Sequence, residues 1–288
     1  MEEELGATFR FLRQSKNISL SAVADEFISK GMLSKFERNI SDISANRFFH
    51  LLNKINVTPT EFFFVHRRFE TTSMSRLLQA MQKYVIEGNN KQLHQLYLQE
   101  YQRFQKTDDL FNQLNAIMLA CVLQSVDPQT TVSNEDIDTL IDYLFTCENW
   151  GQYELVLYGN ALQAFPTATV IAFSKEIPAK IMLFKEESQL LATSFNVILN
   201  SFILCIEQEE LQAAKYFLAS LKTLELPETM IFEFTLLNLY EGIFLSKFKL
   251  DEMHGNQQIL TSLNVFKSLQ ANRLYEIFSK SSQDLLDS

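Results

Sequence analysis

Residues that interrupt helices are scarce in this sequence. Only 7 glycines and 5 prolines occur among 288 residues, while leucine, lysine, glutamate and glutamine, which favour helices, are plentiful. A turn-rich β architecture would need more glycine and proline at its turns. The composition therefore predicts an all-α fold, and the length leaves room for about two domains.

Cysteine and histidine, which often bind metals, are also few. The three cysteines are far apart and lack a CxxC pair, and none of the four histidines has a second histidine or cysteine four residues away. This pattern argues against a disulfide framework and a zinc site. The sequence also lacks a phosphate-binding loop, a GxGxxG motif and a nucleophile elbow. We therefore expect no metal, no cofactor and no enzymatic activity.

Three long stretches contain no charged residue, at residues 110–126, 155–174 and 188–206. A membrane-spanning helix needs about 20 predominantly apolar residues, whereas each stretch contains several polar side chains and Pro166 interrupts the second. The N-terminus begins Met-Glu-Glu-Glu, the reverse of a basic and apolar leader. We expect a cytoplasmic protein with no membrane partner, in which these stretches are buried helices.

The net charge of −10 is distributed unevenly. Residues 1–68 carry 10 Lys and Arg against 8 Asp and Glu, whereas the remainder carries 15 against 27. An acidic body behind a mildly basic N-terminal segment is compatible with DNA contact confined to that segment.

The first 65 residues predict a module of five short helices, which we call the head. Apolar residues recur in it at helical spacing. We expect the second helix to run from Ser19 through Phe27. Ser29 suits the N-cap of the third helix, and Pro59 opens the fifth.

Residues 19–38 have the pattern of a helix-turn-helix. Ala24 is the small residue where the second helix meets the third, and apolar residues such as Leu33 set the crossing angle. The residues that we expect to face base edges are Ser29, Lys30, Gly31, Met32 and Lys35. Those that we expect near phosphates are Ser34, Arg38 and Arg47. Met32 offers a base only an apolar contact, for example with a thymine methyl group.

After residue 66 the helices become longer. We expect breaks near residues 88–90, 127–128, 149–151, 165–166, 186–187, 207, 226–227, 248 and 270. Paired helices with a period of about 35–40 residues indicate a tetratricopeptide-like helical repeat, with a non-repetitive bundle as the alternative. We divide the chain into the head (1–65), a linker (66–72) and a helical repeat domain (73–288).

Polar side chains recur on apolar helices of the repeat domain. Thr193, Asn196 and Asn200 are three and four residues apart and share a helix face. A carboxamide offers both a donor and an acceptor to an extended peptide backbone. Further candidates for peptide binding are Tyr158, Asn160, Thr235 and Asn238, the last two in a stripe with Gly242. The alternative is that these residues tie neighbouring helices together.

Phenylalanines accompany these polar residues. We expect an apolar trough lined by Phe195, Phe202, Phe232 and Phe234. Positive charge is sparse there, so a peptide ligand of such a trough would be hydrophobic.

The end of the third helix resembles that of Cro/C1-type repressor domains, in which a Ser-x-apolar-Glu-Arg pattern is common. The matching residues are Leu33-Ser34-Lys35-Phe36-Glu37-Arg38. The resemblance implies a structural pair between Glu37 and an arginine of the first helix, for which Arg13 has the right spacing. The turn before Ser29 is one residue shorter than is usual in these domains and lacks their customary glycine.

Most of the chain resembles the Rgg (Rgg/GadR/MutR) regulators. The residues that carry the resemblance are Leu5-Gly6, Ser19, Ser21, Ala24-Asp25-Glu26, Phe36-Glu37-Arg38, Ile43-Ser44, Leu51-Leu52-Asn53-Lys54-Ile55, Glu61-Phe62, Asp142-Tyr143-Leu144-Phe145, Glu148, Trp150-Gly151 and Tyr153-Glu154. The resemblance implies a homodimer with a tetratricopeptide-like C-terminal domain. Several such proteins, of the RRNPP type, bind short secreted peptides that re-enter the cell in quorum sensing. In that wider group an asparagine of an inner helix commonly holds the peptide, and Asn196 matches it best.

These observations predict a regulator of transcription that binds double-stranded operator DNA through the head and a short hydrophobic signalling peptide through the repeat domain. One alternative is a regulator that responds to a metabolite or a protein partner, or to nothing. Another is a helical scaffold that sequesters a partner protein. The cap at Ser29 and the lysines at positions 30 and 35 argue against the scaffold.

Overall fold

The computed structural model describes residues 5–67, 72–127, 129–180, 188–224 and 226–287. These residues form helices and connecting turns, without a β-strand, so the predicted all-α fold is confirmed. The chain divides into two compact units, Met1–Gln82 and Lys83–Ser288. Residues 68–71 of the predicted linker lie outside the described residues.

The first unit begins with the five short helices that the sequence predicted. They are α1 (Leu5–Ser15), α2 (Leu20–Val23), α3 (Lys30–Glu37), α4 (Ala45–Lys54) and α5 (Pro59–His66), followed by α6 (Ser73–Ile86), within which the unit boundary falls. Each of the five turns an apolar face towards a common core, where Phe9, Leu33, Leu51 and Phe62 have no exposed surface. Burial of these side chains holds helices together that are too short to be stable alone.

The second helix is shorter than predicted. α2 ends at Val23, whereas the sequence pattern predicted a helix through Phe27. Asp25 causes the difference, because its Oδ1 accepts hydrogen bonds from the amides of Phe27 (3.0 Å) and Ile28 (3.2 Å). A side chain bound in this way offers the backbone an alternative to helical hydrogen bonds.

A buried ion pair joins α1 to α3. Arg13 Nε donates to Glu37 Oε1 at 2.6 Å and Nη2 donates to Oε2 at 2.8 Å, and the two side chains are only 6% and 3% exposed. The Cro/C1 resemblance implied this pair. The same two helices approach closely at Gly6, where a Cβ would lie 1.8 Å from the carbonyl oxygen of Phe36. The position of α3 is therefore set from α1.

The second unit consists mainly of long helices. They are α7 (Asn90–Thr107), α8 (Leu110–Val126), α9 (Asn134–Thr146), α10 (Gln152–Ala161), α11 (Thr167–Lys180), α12 (Ser188–Glu207), α13 (Leu211–Thr223), α14 (Ile231–Lys247), α15 (Glu252–Ser268) and α16 (Asn272–Asp287), with a 3₁₀ turn at Leu162–Ala164. All predicted breaks between helices are confirmed except the one at 186–187, which lies outside the described residues.

One break, between α7 and α8, was not predicted. Asp108 adopts the left-handed conformation with φ of 52°, and Asp109 caps α8 by accepting a hydrogen bond from the Asn112 amide at 3.0 Å. Aspartate tolerates the left-handed conformation better than most residues and is a preferred N-cap. The adjacent aspartates were thus an available signal.

Alternate helices of the second unit form a continuous layer. α8 packs against α10, α10 against α12, α12 against α14, and α14 against α16. Sequence neighbours such as α7 and α8, α12 and α13, and α14 and α15 also pack together. Stacked helix pairs of this kind are the arrangement of a tetratricopeptide-like repeat.

α12 lies inside this layer. Its segment Leu190–Glu207 is long and apolar enough to cross a membrane by length and composition, but 61% of that segment is buried within the protein. Such burial is typical of a core helix. The other uncharged stretches form α8, which is largely buried, and α10 with α11, which are separated at Pro166.

The segment around Trp150, residues 148–154, holds α9, α10 and α11 together; we call it the tryptophan motif. Trp150 is fully buried, its Nε1 donates to the Leu144 carbonyl at 3.2 Å, and its amide donates to the Lys180 carbonyl at 2.9 Å. Glu154 Oε2 accepts a hydrogen bond from the Gly151 amide at 2.9 Å and so caps α10. These contacts give the motif a structural role.

Removal of one partner of the buried ion pair is expected to destabilise the head. In Glu37→Met the Arg13 guanidinium stays buried without a carboxylate, which costs about 3–5 kcal/mol. The double variant Arg13→Met/Glu37→Met removes both charges and recovers most of this stability, because no buried charge is left unpaired. Hydrogen exchange of the amides in residues 5–67 measures the loss.

The sole tryptophan, Trp150, lies in the second unit and provides an internal control. Its fluorescence change on urea unfolding is expected to have the same midpoint in the wild type and both variants. If the exchange rates of residues 5–67 in Glu37→Met equal those of the wild type, the head does not depend on the pair.

Candidate functional site

The first turn of α3 presents an exposed polar surface. Ser29 caps the helix by accepting a hydrogen bond from the Met32 amide at 3.3 Å. Lys30, Gly31 and Met32 are exposed, as is Lys35 one turn further on. A Cβ placed on Gly31 would meet no atom within 4 Å. The residues that the sequence predicted to face base edges are therefore accessible from outside the head.

The opposite face of α3 is buried. Leu33 and Phe36 lie in the core, 0% and 4% exposed, and Glu37 is held by Arg13. Because this face is anchored at three positions, the exposed face keeps a defined direction, as readout of base edges requires.

The residues predicted to lie near phosphates have different environments. Ser34 is half-buried, whereas Arg38 and Arg47 are exposed. Arg38 Nε donates to the Ser34 carbonyl at 3.1 Å, and Arg47 Nε donates to the Phe27 carbonyl at 3.0 Å. Within the described part of the chain, the Nη atoms of both arginines have no partner, so they remain available to an anion.

Sequence analysis did not identify a polar cluster that connects α4 to the turn before α3. Asp25 Oδ2 lies 2.7 Å from His50 Nε2 and 3.0 Å from Lys54 Nζ. These bonds from Lys54 and His50, together with those from the turn amides, hold the pKa of Asp25 well below its usual range. Phe27, 59% exposed, lies beside His50 with ring centroids 5.2 Å apart. The available signal was an aspartate four residues before the N-cap at Ser29.

α12 carries two exposed carboxamides on a largely buried helix. Asn196 and Asn200 are exposed, while the three residues between them are buried. Neither carboxamide has a hydrogen-bond partner among the described residues. One turn earlier, Thr193 Oγ1 accepts a hydrogen bond at 3.1 Å from Nε2 of Gln152, a residue of α10 that sequence analysis did not single out.

The same side of α12 leads to a cavity. Glu207, seven residues after Asn200, shares a cavity of about 540 Å³ with residues of α16, namely Ile277, Lys280, Ser281, Asp284 and Leu285. We call the side of α12 formed by Thr193, Asn196, Asn200 and Glu207 the α12 stripe.

Tyr158 and Asn160 of α10 are engaged within the protein. Tyr158 is fully buried, its hydroxyl donates to the Val170 carbonyl at 3.1 Å and lies 2.7 Å from Ser174 Oγ. Asn160 is half-buried, and its Nδ2 donates to the Val156 carbonyl of its own helix at 2.8 Å. The structure places Tyr158 in the core and not on an open surface.

The polar stripe of α14 faces α15. Asn238 Nδ2 donates to Ser262 Oγ at 2.8 Å and to the Gln258 carbonyl at 3.2 Å. A Cβ on Gly242 would lie 2.7 Å from a backbone oxygen of α15, and Thr235 is buried. Asn238 and Gly242 thus tie α14 to α15, the role that the alternative interpretation gave them, whereas the Thr235 hydroxyl donates to the Ile231 carbonyl of its own helix at 2.7 Å.

The apolar trough does not form as predicted. Phe195 and Phe202 have no exposed surface, because their positions on the helix turn them away from Asn196 and into the core. Phe232 and Phe234 of α14 are 41% and 43% exposed. The asparagines of α12 and its phenylalanines therefore serve opposite faces.

Two of the cysteines are buried thiols. Burial raises the pKa of Cys121 to about 12 and that of Cys205 to about 11, so both are protonated at neutral pH. In the part of the chain that the structure describes, no group of three or more His, Cys, Asp or Glu could hold a metal ion.

Two family models match the chain. The C-terminal domain of the HTH-type transcriptional regulator Rgg matches residues 91–280, and a helix-turn-helix model matches residues 9–62. The first match covers more than half of the chain, and the second contains α2, α3 and α4.

Solved structures share the fold over nearly the whole length. The SHP pheromone receptor Rgg2 of Streptococcus dysgalactiae is 28% identical, with 97% of this chain and 99% of that chain covered and a TM-score of 0.83. PrgX is 14% identical, with 97% and 93% covered and a TM-score of 0.70. A bacterial peptide pheromone/receptor complex is 15% identical, with 98% of each chain covered and a TM-score of 0.71. The last two show the fold alone.

The resemblance seen in the sequence is thus confirmed by the extent of the family match and by the all-helical architecture behind a helix-turn-helix. Regulators of this family control transcription and are not enzymes. The chain belongs to the Rgg family of helix-turn-helix transcriptional regulators.

Proposed function

We propose that this regulator binds operator DNA through the head and a short hydrophobic signalling peptide through the α12 stripe. The observation that carries the peptide proposal is the pair of exposed carboxamides at Asn196 and Asn200, which have no partner among the described residues and lie on a helix that is otherwise largely buried. Structural relatives support it, since one is named as a pheromone receptor and another as a pheromone/receptor complex.

The DNA proposal rests on α3. Ser29, Lys30, Gly31, Met32 and Lys35 are exposed on a helix whose other face is anchored in the core. This is the geometry with which a recognition helix enters the major groove. We assign base contacts to these five residues and phosphate contacts to Ser34, Arg38 and Arg47.

The length of the α12 stripe indicates the length of the peptide. Thr193 and Glu207 are fourteen residues apart on α12, which corresponds to about 21 Å along a helix. An extended peptide of about six residues spans that distance. The two carboxamides lie in the half of this span nearer Thr193 and would each offer a donor and an acceptor to the peptide backbone. The cavity beside Glu207 would receive the other end of the peptide.

We further propose that the protein acts as a cytoplasmic homodimer. Helix-turn-helix regulators commonly bind two half-sites about one helical turn of DNA apart, so the two-fold symmetry of the operator mirrors that of the protein. In this proposal residues 1–65 read DNA, residues 66–72 link, and residues 73–288 bind the peptide and dimerise.

Lys35→Ala is expected to weaken operator binding by about 1–3 kcal/mol, because a base contact is lost. The operator is a duplex of about 30 base pairs, selected by the wild-type protein from a random pool. Fluorescence anisotropy compares it with a random duplex. Lys267→Ala, which removes an exposed lysine of α15, is the matched control and should bind as the wild type does. An equal loss on both duplexes would make Lys35 a phosphate contact.

Asn196→Ala is expected to weaken peptide binding by about 1–3 kcal/mol, because peptide polar groups are left unpaired. The probes are labelled hydrophobic peptides encoded by small reading frames beside the gene, and anisotropy measures their dissociation constants. Asn200→Ala should behave similarly. Asn264→Ala, which removes an exposed carboxamide of α15, is the control.

An equal loss in the Asn264 variant would place the peptide elsewhere. Wild-type protein that binds DNA but none of these peptides would contradict their role as ligands and favour a metabolite or a protein partner as the signal.

A further inference from the structure

We propose that Asp25 is a positioning residue for operator recognition, which fixes the direction in which α3 leaves the turn before it. The inference rests on DNA binding by the head, the function proposed above. The two carboxylate oxygens of Asp25 bind different parts of the head. Oδ1 accepts from the amides of Phe27 and Ile28 in the turn, whereas Oδ2 bonds to His50 and Lys54 of α4. One carboxylate thus joins the turn to the body of the head.

The turn needs such a connection because the helix before it is very short. α2 has 4 residues, a single turn, and α3 has 8. Five residues that are not helical, Asp25 among them, separate Val23 from Ser29. Two helices of this length share little packing surface, and the contacts of α3 with Arg13 and Gly6 of α1 lie at its C-terminal end, at Phe36 and Glu37. The path of the backbone through the turn therefore positions the N-terminal end of α3.

α4 holds the turn at three positions of one face. Arg47 Nε donates to the Phe27 carbonyl at 3.0 Å, while His50 and Lys54 bind the Asp25 carboxylate. Residues 47, 50 and 54 are three and four positions apart and therefore lie along one side of the helix. In addition, the Asp25 amide donates to the Ile28 carbonyl at 3.0 Å, which closes the turn directly before the N-cap of α3.

The electrostatics of the cluster suit this role. The hydrogen bonds from Lys54, His50 and the turn amides lower the pKa of Asp25, so the carboxylate is ionised throughout the neutral range. Lys54 balances its negative charge. Asp25 therefore anchors the turn without adding an unpaired negative charge beside the surface that approaches DNA phosphates.

A residue that only orients α3 affects the preference for the operator and not the affinity for DNA of any sequence. Phosphate contacts supply binding that is independent of sequence, whereas base contacts distinguish the operator. A misdirected α3 loses base contacts, while the exposed cations of the head still reach the backbone. Loss of the connection is therefore expected to weaken operator binding and to leave binding to random DNA unchanged.

Two variants test the proposal by anisotropy, with the selected operator duplex and a random duplex. Asp25→Ala removes the bonds of both oxygens, and His50→Gln/Lys54→Met removes the connection to α4 while Asp25 and its turn bonds remain. We divide the dissociation constant for random DNA by that for the operator and call the result the specificity ratio. This ratio is expected to fall about tenfold in Asp25→Ala, which corresponds to the loss of one good base contact. It should also fall in the double variant.

Arg10→Met is the matched control for charge, because Arg10 is exposed in α1 and has no partner among the described residues. This variant should slightly lower the affinities for operator and random DNA and keep the ratio of their dissociation constants unchanged. Hydrogen exchange of residues 5–67 verifies that each variant is folded.

The inference is overturned if the double variant keeps the wild-type ratio on a folded head, or if both affinities fall equally in it beyond the effect of Arg10→Met. Failure of the DNA proposal is distinguishable, since the wild-type protein itself would then show no preference for any selected duplex.

Discussion

A polar group that leaves water must find a partner inside the protein, and this constraint organises both units. In the head it pairs Arg13 with Glu37 and so connects α1 to α3. In the second unit it connects the Tyr158 hydroxyl to Ser174 and Ser201 across three helices, and Asn238 to the neighbouring helix. Among the described residues, Gln258 Oε1 is the buried side-chain atom without a partner. These joints between helices are therefore specified by polar contacts as well as by apolar packing.

Against this background, exposed polar groups on buried elements indicate function. α12 is buried on most of its surface, yet Asn196 and Asn200 face outward without partners among the described residues. α3 likewise buries Leu33 and Phe36 and exposes a polar first turn. In both helices one face anchors the element, and the other exposes the donors and acceptors that we propose bind a ligand. The two proposed binding surfaces, on α3 and on α12, are thus both exposed polar faces of helices whose opposite faces are buried.

The accuracy of sequence interpretation varied with the range of the interactions involved. Helix breaks are local, so glycine, proline or asparagine predicted those at 88–90, 127–128, 149–151, 165–166 and 226–227. The missed break at Asp108 involves another residue that tolerates the left-handed conformation. The end of α2 was predicted wrongly, because the bonds that stop the helix come from a side chain whose other partners lie in α4. Spacing alone does not show those partners.

The sequence by itself determined the helical class, the five-helix head with its capped α3, the periodic repeat and the Rgg family, because these depend on local periodicity, capping residues and contiguous motifs. Only the tertiary structure decided which polar stripes are open. Asn238 lies in a polar stripe with helical spacing like that of Asn196 and Asn200, yet α15 packs against Asn238 and bonds to it, whereas Asn196 and Asn200 have no partner among the described residues. Whether a face is exposed depends on which helix packs against it, and that is a property of long-range packing that no local pattern contains.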